Sequence, residues 1–164
     1  WQNLFLSREL TSGFGPLRLM NRRAMSKEAT TMVSTLAINV PSVKSRVRRL
    51  SGGQRQAVAI ARAAGWGSAI VIMDEPTAAL GVQETAKVEE LIHDLKSRGI
   101  SIMLISHNFD QVLRLSDAVT IMRSGRTVAS RRATSTSGDE LVGLVTGAVP
   151  ADPEFLAPVK GESA

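Results

Sequence analysis

Leu50-Ser51-Gly52-Gly53-Gln54 and Ile70-Val71-Ile72-Met73-Asp74-Glu75 are the two stretches that decide the fold of this chain. The first places a serine and two glycines before a helix, where backbone N–H groups and the helix dipole favour an anion. The second is an apolar strand that ends in two adjacent carboxylates, whose mutual repulsion favours a bound cation. Together they predict a site for a phosphate group that carries a metal ion.

Each feature of this site also has an interpretation that needs no ligand. Ser51-x-x-Gln54 has the form of a capping box, which stabilises the start of a helix by itself. Asp74-Glu75-Pro76 has the form of a common turn at a strand end. His107 follows the apolar run Ile102–Ile105, and a single histidine in that position is typical of an ordinary loop residue. Taken alone, the residues leave both interpretations open.

Length and composition restrict the class of protein. The 164 residues are enough for one domain with a buried core, which aliphatic side chains must fill because aromatic residues make up only 4%. The absence of cysteine excludes disulfides and thiolate metal sites and suits a reducing cytoplasm. No apolar run reaches the roughly 18 residues of a membrane span, and no signal sequence is visible. Because the first residue is tryptophan, we expect the chain to begin within a longer protein.

The net charge of +5 is distributed unevenly. Residues 1–62 contain 11 lysines and arginines and 2 acidic residues, whereas residues 63–164 contain 9 and 13. Such a basic segment forms a solvated surface, or it attracts nucleotide phosphates, an acidic membrane surface or a partner protein. Nucleic acid is not expected as a partner, because no recognition module accompanies the charge.

The hydrophobic pattern predicts an α/β fold in three parts. Helices are predicted at residues 3–10, 26–36, 52–64, 83–96, 108–115 and 138–147, with a short basic helix or turn at 43–49. Strands are predicted at residues 69–73, 102–105, 118–122 and 127–130, the first two of the type buried on both faces of a parallel sheet. We therefore expect a helical subdomain segment at 1–49, a mostly parallel sheet flanked by helices at 50–147, and a disordered tail at 148–164.

In this order, the two opening stretches resemble the signature motif and the Walker B strand of the ATP-binding-cassette (ABC) ATPases. The resemblance covers residues 1–147 and favours the ATP-binding subunits of bacterial monosaccharide importers. The segments that carry this narrower resemblance are 3–9, 49–62, 76–81, 106–109 and 123–125. It implies an incomplete P-loop NTPase domain, because the 164 residues contain no Gly-x-x-x-x-Gly-Lys-[Ser/Thr] phosphate loop (Walker A) and lack the Q-loop.

The resemblance assigns phosphate contacts to two parts of the chain. In the family, the signature motif contacts the γ-phosphate of an ATP molecule held by the partner subunit. That role falls here on Ser51, Gly52, Gly53 and Gln54. His107 matches the switch histidine, which also contacts the γ-phosphate.

The resemblance also assigns the chemistry at the strand end. Asp74 is expected to organise Mg²⁺, and Glu75 is expected to polarise the attacking water as general base. Residues 76–81 form the D-loop, which usually ends in Leu-Asp. This chain has Gly81 instead, which puts the aspartate contact across the dimer in doubt.

The expected function is ATP binding and hydrolysis in a bacterial ABC sugar importer. The resemblance implies ATP and Mg²⁺ as cofactors and a dimer of ATP-binding subunits at the cytoplasmic face of the inner membrane. Segment 1–49 would dock on inner-membrane permease subunits, with a periplasmic sugar-binding protein as an indirect partner. Without a phosphate loop, the chain alone is expected to be inactive. The alternatives are a cytosolic ABC ATPase that acts on nucleic acid or ribosomes, and a degenerate regulatory cassette.

Overall fold

The computed structural model describes residues 1–14, 17–36 and 38–155. Contacts between residues divide the chain into two compact units, Trp1–Ile105 and Ser106–Ala164. Each unit has its own buried side chains, so each is described by itself.

The first unit consists, in its described part, of a short hairpin, three helices and a pair of parallel strands. Its elements are β1 (Thr11–Ser12), β2 (Leu19–Met20), α1 (Arg22–Thr35), a 3₁₀ turn at Val47–Arg49, α2 (Gly52–Ala64), β3 (Ile70–Asp74), α3 (Val82–Ser97) and β4 (Ser101–Ile105). β1 and β2 are antiparallel, whereas β3 and β4 run parallel with Ile70 opposite Ser101 and Asp74 opposite Ile105. Because α2 contacts α1, α3 and β3, it is the central element of this unit.

The parallel pair β3–β4 is buried on one face. Val71 and Met73 are 3% and 4% exposed. The opposite face carries apolar side chains that are between 48% and 64% exposed, namely Ile70, Ile72, Met103 and Ile105. The prediction that both strands are buried on both faces is therefore wrong. A sheet face is buried only where another element covers it. Here α2 contacts β3 and α3 contacts β4, and the alternation of exposure along β3 shows that only one face is covered.

The second unit contains an antiparallel hairpin and two helices in its described part. Its elements are α4 (Phe109–Leu115), β5 (Ala118–Arg123), β6 (Arg126–Arg132), a 3₁₀ turn at Ala133–Ser135, α5 (Gly138–Thr146) and a 3₁₀ turn at Pro153–Phe155. Ser124 and Gly125 connect β5 to β6 with φ angles of 51° and 76°, as a two-residue hairpin turn requires. The core of this unit is formed by Ile121, Val128, Ala129, Leu141, Leu144 and Ala151.

Most of the predicted helices and strands are present, and α2 has the predicted bounds. The helix predicted at residues 3–10 is wrong, because residues 2–7 form turns and Ser7 has a left-handed φ of 65°, which a continuous helix does not allow. The mostly parallel sheet is also wrong, because one of the three two-stranded sheets among the described residues is parallel. The two-residue connection between β5 and β6 forces an antiparallel pair, whereas a helical crossover joins β3 to β4.

The tail predicted to be disordered from residue 148 contains structure up to residue 155. Ala151 is buried, Asp152 forms an ion pair with Arg131, and Pro153–Phe155 forms a 3₁₀ turn. Residues 156–164 of that predicted tail lie outside the described part. The division at residue 49 remains a prediction.

The described helices are short, and the longest of them, α3, has 16 residues. Within the described ranges, no helix combines the length and the apolar character that crossing a bilayer requires.

Candidate functional site

The signature segment, which we define as residues 50–54, begins α2. Ser51 is the N-cap residue, and its Oγ accepts a hydrogen bond from the Gln54 N–H at 3.3 Å. In return, Gln54 Oε1 accepts from the Ser51 N–H at 3.1 Å. This reciprocal pair is the capping box that the sequence predicted. It fixes where α2 begins, and the phosphate-binding role of the segment remains a prediction.

Gln54 and Arg55 connect the signature segment to nearby backbone. Gln54 Nε2 donates a hydrogen bond to the Asn39 carbonyl at 3.0 Å, and the Arg55 guanidinium donates to the Leu50 carbonyl at 2.6 Å. The oxygen and the nitrogen of the Gln54 amide are therefore both engaged. The Gln54 Nε2 group carries two N–H donors, so a phosphate contact through Gln54 uses the second N–H or replaces the bond to Asn39.

A carboxylate from α3 lies against the signature segment. The Glu84 side chain lies beside Gly52 and Gly53, and its Oε2 atom would be 3.5 Å from a Cβ atom on Gly52. Hydrogen bonding to the Ser51 side chain, followed by the Gly53 and Gly81 backbone, holds the pKa of Glu84 below its ordinary value. Lys87 contributes to the lowering through its positive charge.

Glu84 was not among the site residues predicted from the sequence. The available signal was an acidic residue in the first turn of α3, shortly after the D-loop. An acidic residue in that position predicts a helix-dipole interaction within α3. It does not predict a contact with Ser51 or Gly53, which lie about thirty positions earlier in the chain.

The signature glycines are closely packed against neighbouring side chains. A Cβ atom on Gly53 would lie 3.0 Å from Glu84 Cβ, and one on Gly52 would lie 2.9 Å from Leu80 Cδ2. The D-loop and the start of α3 thus approach the signature backbone within the distance that any added side chain would occupy. The structure therefore brings together two segments that the sequence analysis treated separately.

Asp74 and Glu75 lie at the carboxyl end of β3. Asp74 is the last residue of the strand and is exposed. The Glu75 N–H donates to the Ile105 carbonyl at 2.9 Å, and Glu75 has a left-handed φ of 46°. A non-glycine residue in this region costs on the order of 1–3 kcal/mol, and such residues cluster at functional sites.

The strand end fits a partial magnesium site. Among the described residues there is no group of three or more histidine, cysteine, aspartate and glutamate side chains that could hold a metal ion by itself. Magnesium in phosphoryl-transfer sites, however, is usually bound by one or two carboxylates together with substrate phosphates and water. The exposed carboxylate of Asp74 suits that kind of ligand set, with the phosphates supplying the remaining ligands.

His107 belongs to the second unit and is exposed. It lies in a bend directly before α4, whose N-cap Asn108 accepts a hydrogen bond from the Gln111 N–H at 3.1 Å. Ser106 Oγ accepts from the Asn108 N–H at 3.1 Å and contacts the fully buried Gln111 side chain at 3.4 Å. These bonds on either side of His107 define the backbone from which its imidazole projects. The sequence analysis did not identify Gln111 as part of this support.

The chain matches the ABC transporter family over residues 2–78. It is 43% identical over 159 residues to the fructose import ATP-binding protein of Rhizobium meliloti, covering 94% of this chain and 61% of that protein. It is 36% identical to the xylose/arabinose import ATP-binding protein of Sulfolobus acidocaldarius, covering 89% of this chain and 57% of that one. The chain thus spans about three-fifths of the length of these relatives.

Among solved structures, the fold is similar to a nucleotide-free ATP-binding cassette from an ABC transporter. The TM-score is 0.68 at 25% sequence identity, and the match covers 94% of this chain and 59% of that cassette. Family, relatives and fold agree with the motifs at residues 50–54 and 70–75. The chain is therefore similar to ABC transporter proteins over residues 2–78 and to sugar import ATP-binding proteins over most of its own length.

Proposed function

We propose that this chain is part of the ATP-binding and ATP-hydrolysing subunit of a bacterial ABC sugar importer. The observation that carries the proposal is the signature segment, where Ser51 and two close-packed glycines begin a 13-residue helix. Such a helix start offers N–H donors and a positive dipole end to a phosphate group. The similarity to a fructose import protein supports a sugar importer in particular.

In this proposal, two subunits hold ATP between them. The signature segment of one subunit binds the γ-phosphate of the ATP bound by the other, through Ser51, Gly52, Gly53 and Gln54. Glu75 accepts a proton from the water that attacks the γ-phosphorus, while the bond from that phosphorus to the β–γ bridging oxygen breaks and ADP leaves. His107 donates a hydrogen bond to the γ-phosphate and orients it. When bound, Mg²⁺ with Asp74 among its ligands supplies positive charge that neutralises the phosphate oxygens.

Membrane partners follow from the same proposal. Segment 1–49 docks on permease subunits at the cytoplasmic face of the inner membrane, and a periplasmic sugar-binding protein delivers the sugar to them. The excess of basic residues in 1–62 is compatible with a partner or membrane surface of opposite charge.

The experiment compares the 164-residue chain with a fusion in which the segment that precedes the matched region in the Rhizobium meliloti relative is placed before residue 1. We expect no ATP turnover from the chain alone, because it has no phosphate loop. The fusion should hydrolyse ATP, and Glu75→Gln should lower its rate by about 10²–10⁴-fold if Glu75 is the base.

His93→Gln provides the matched control, because His93 is an exposed histidine on α3. Its turnover should equal that of the unsubstituted fusion. Turnover by the chain alone that Glu75→Gln abolishes would show that the chain is active without a phosphate loop. Full turnover of the Glu75→Gln fusion would exclude Glu75 as the base.

A further inference from the structure

The Glu84 carboxylate lies beside hydrogen-bond donors that a phosphate group would use. Its side chain runs along Gly52 and Gly53 and interacts with the Ser51 hydroxyl and the Gly53 N–H. Since Ser51 Oγ accepts from the Gln54 N–H, the hydroxyl hydrogen of Ser51 remains for donation to Glu84. The donors at the start of α2 thus have an anionic acceptor within the same chain.

The stem of the Glu84 side chain holds this carboxylate in place. A Cβ atom on Gly53 would lie 3.0 Å from Glu84 Cβ and 3.3 Å from its Cγ. One on Gly52 would lie 3.5 Å from Glu84 Oε2. Glu84 therefore lies beside the backbone of both signature glycines.

We propose that Glu84 is an internal competitor for the phosphate group that the signature segment binds. This inference rests on the proposed function of that segment. A phosphate and a carboxylate repel each other and need the same donors, so the nucleotide must displace Glu84 before it contacts Ser51 and Gly53. Without nucleotide, the carboxylate satisfies these donors and stabilises the start of α2.

Displacement of Glu84 affects the D-loop as well. Glu84 also accepts from the Gly81 N–H, and Leu80 lies against Gly52. A phosphate that removes the carboxylate from Ser51 therefore breaks a direct bond between the signature segment and the first turn of α3. Occupation of the signature segment is in this way linked to the end of the D-loop.

The test measures anion binding by the ¹⁵N-labelled 164-residue chain, with inorganic tripolyphosphate as the probe at constant ionic strength. The amide signals of Gly52 and Gly53 report occupation of the signature segment. We expect Glu84→Gln to lower the half-saturating concentration by on the order of tenfold, since the loss of one charge-assisted interaction has about this effect. Glu84→Ala, a second variant without the carboxylate, should shift it in the same direction.

Glu90→Gln is the matched control, because it removes the same charge from an exposed position on α3. Glu90→Gln should bind tripolyphosphate as tightly as the unsubstituted chain. Ser51→Ala should weaken tripolyphosphate binding both in the unsubstituted chain and in each Glu84 variant. If Glu84→Gln and Glu84→Ala bind tripolyphosphate no more tightly than the unsubstituted chain, Glu84 is not a competitor. That result would not contradict the phosphate-binding role of the signature segment. If no variant shows a response at Gly52 or Gly53, the phosphate role of the signature segment is refuted, and the competition with it.

Discussion

Glu75 combines a candidate role in chemistry with an unusual backbone conformation. Its φ of 46° lies in the left-handed region, and its N–H continues the parallel ladder by donating to the Ile105 carbonyl. The chain turns sharply at this residue, directly after β3 ends at Asp74. A residue without a Cβ atom would adopt this conformation more easily, so the carboxylate at position 75 is present at a cost in stability.

This cost can be measured by comparing Glu75→Gly with Glu75→Ala. Both variants lose the carboxylate and all of its interactions, so their difference reports the backbone alone. We expect the glycine variant to be more stable than the alanine variant by about 1 kcal/mol, because glycine adopts positive φ without strain. Denaturant unfolding of the two variants provides the measurement. An alanine variant of equal or greater stability would show that the backbone at residue 75 is not strained.

The interaction of Glu84 with the signature segment is a residue-scale feature that the linear sequence does not reveal. Its effect depends on Ser51 and Gly53, which lie on a different helix. Helix preference and charge pattern explain why an acidic residue occurs in the first turn of α3, and they are satisfied without any contact to α2. The interaction of Glu84 with the signature segment exists only because α2 packs against α3.

The sheet β3–β4 is the element whose surroundings depart most from expectation. Each of its two strands contains four consecutive apolar residues, yet every second residue is exposed along β3. The four exposed apolar residues form a continuous stripe across two adjacent parallel strands, because residues in register point to the same face. An apolar strand surface of this kind promotes association with other chains.

Ile72→Thr should therefore reduce self-association without loss of stability. Ile72 is 64% exposed, so a polar β-branched residue removes apolar contact area from the surface alone. Light scattering during concentration should decrease, and the free energy of unfolding should change by less than about 0.5 kcal/mol.

Val71→Thr is the matched control on the neighbouring position. Val71 is 3% exposed, and burial of its new hydroxyl group should cost about 1–3 kcal/mol. Equal effects of the two substitutions on unfolding would contradict the one-sided burial of β3.

The whole molecule is organised as two compact units, and the second is held together by an ion network on Arg131. The Arg131 guanidinium donates to Asp152 at 2.6 and 2.9 Å and to Glu140 at 2.7 Å. It thereby joins β6 to α5 and to the segment that follows α5. The hydrogen bond from Arg131 holds the pKa of Asp152 below its ordinary value of 3.8.

This network predicts a loss of stability in acid. The pKa of Asp152 is lower in the folded than in the unfolded chain, so its contribution is fully present above pH 3.8 and is lost as the pH falls through the folded pKa. Arg131→Gln should lower the thermal midpoint by a few degrees at pH 7. The difference from the unsubstituted chain should shrink as the pH is lowered below about 3.8.

Arg132→Gln is the control, because it removes the same charge from the adjacent, exposed position on β6. Its thermal midpoint should stay close to that of the unsubstituted chain at every pH. A difference between the thermal midpoints of Arg131→Gln and the unsubstituted chain that does not shrink at all below pH 3.8 would show that the network does not act through Asp152.

The sequence by itself determined the local features of this protein. Neighbouring residues and their spacing account for the Ser51-x-x-Gln54 capping box, the bounds of α2, the apolar strand that ends at Asp74, and the similarity to ABC transporter proteins over residues 2–78. Local hydrogen bonds and hydrophobic periods carry this information because both act over a few positions of the chain.

Tertiary structure alone decided what lies beside these features. It placed Glu84 beside the signature segment and left one face of β3 exposed. The physical reason is that burial, electrostatic pairing and close packing depend on residues that are distant along the chain. The signature segment at residues 50–54 is therefore readable from the sequence, whereas the carboxylate that occupies its donors is not.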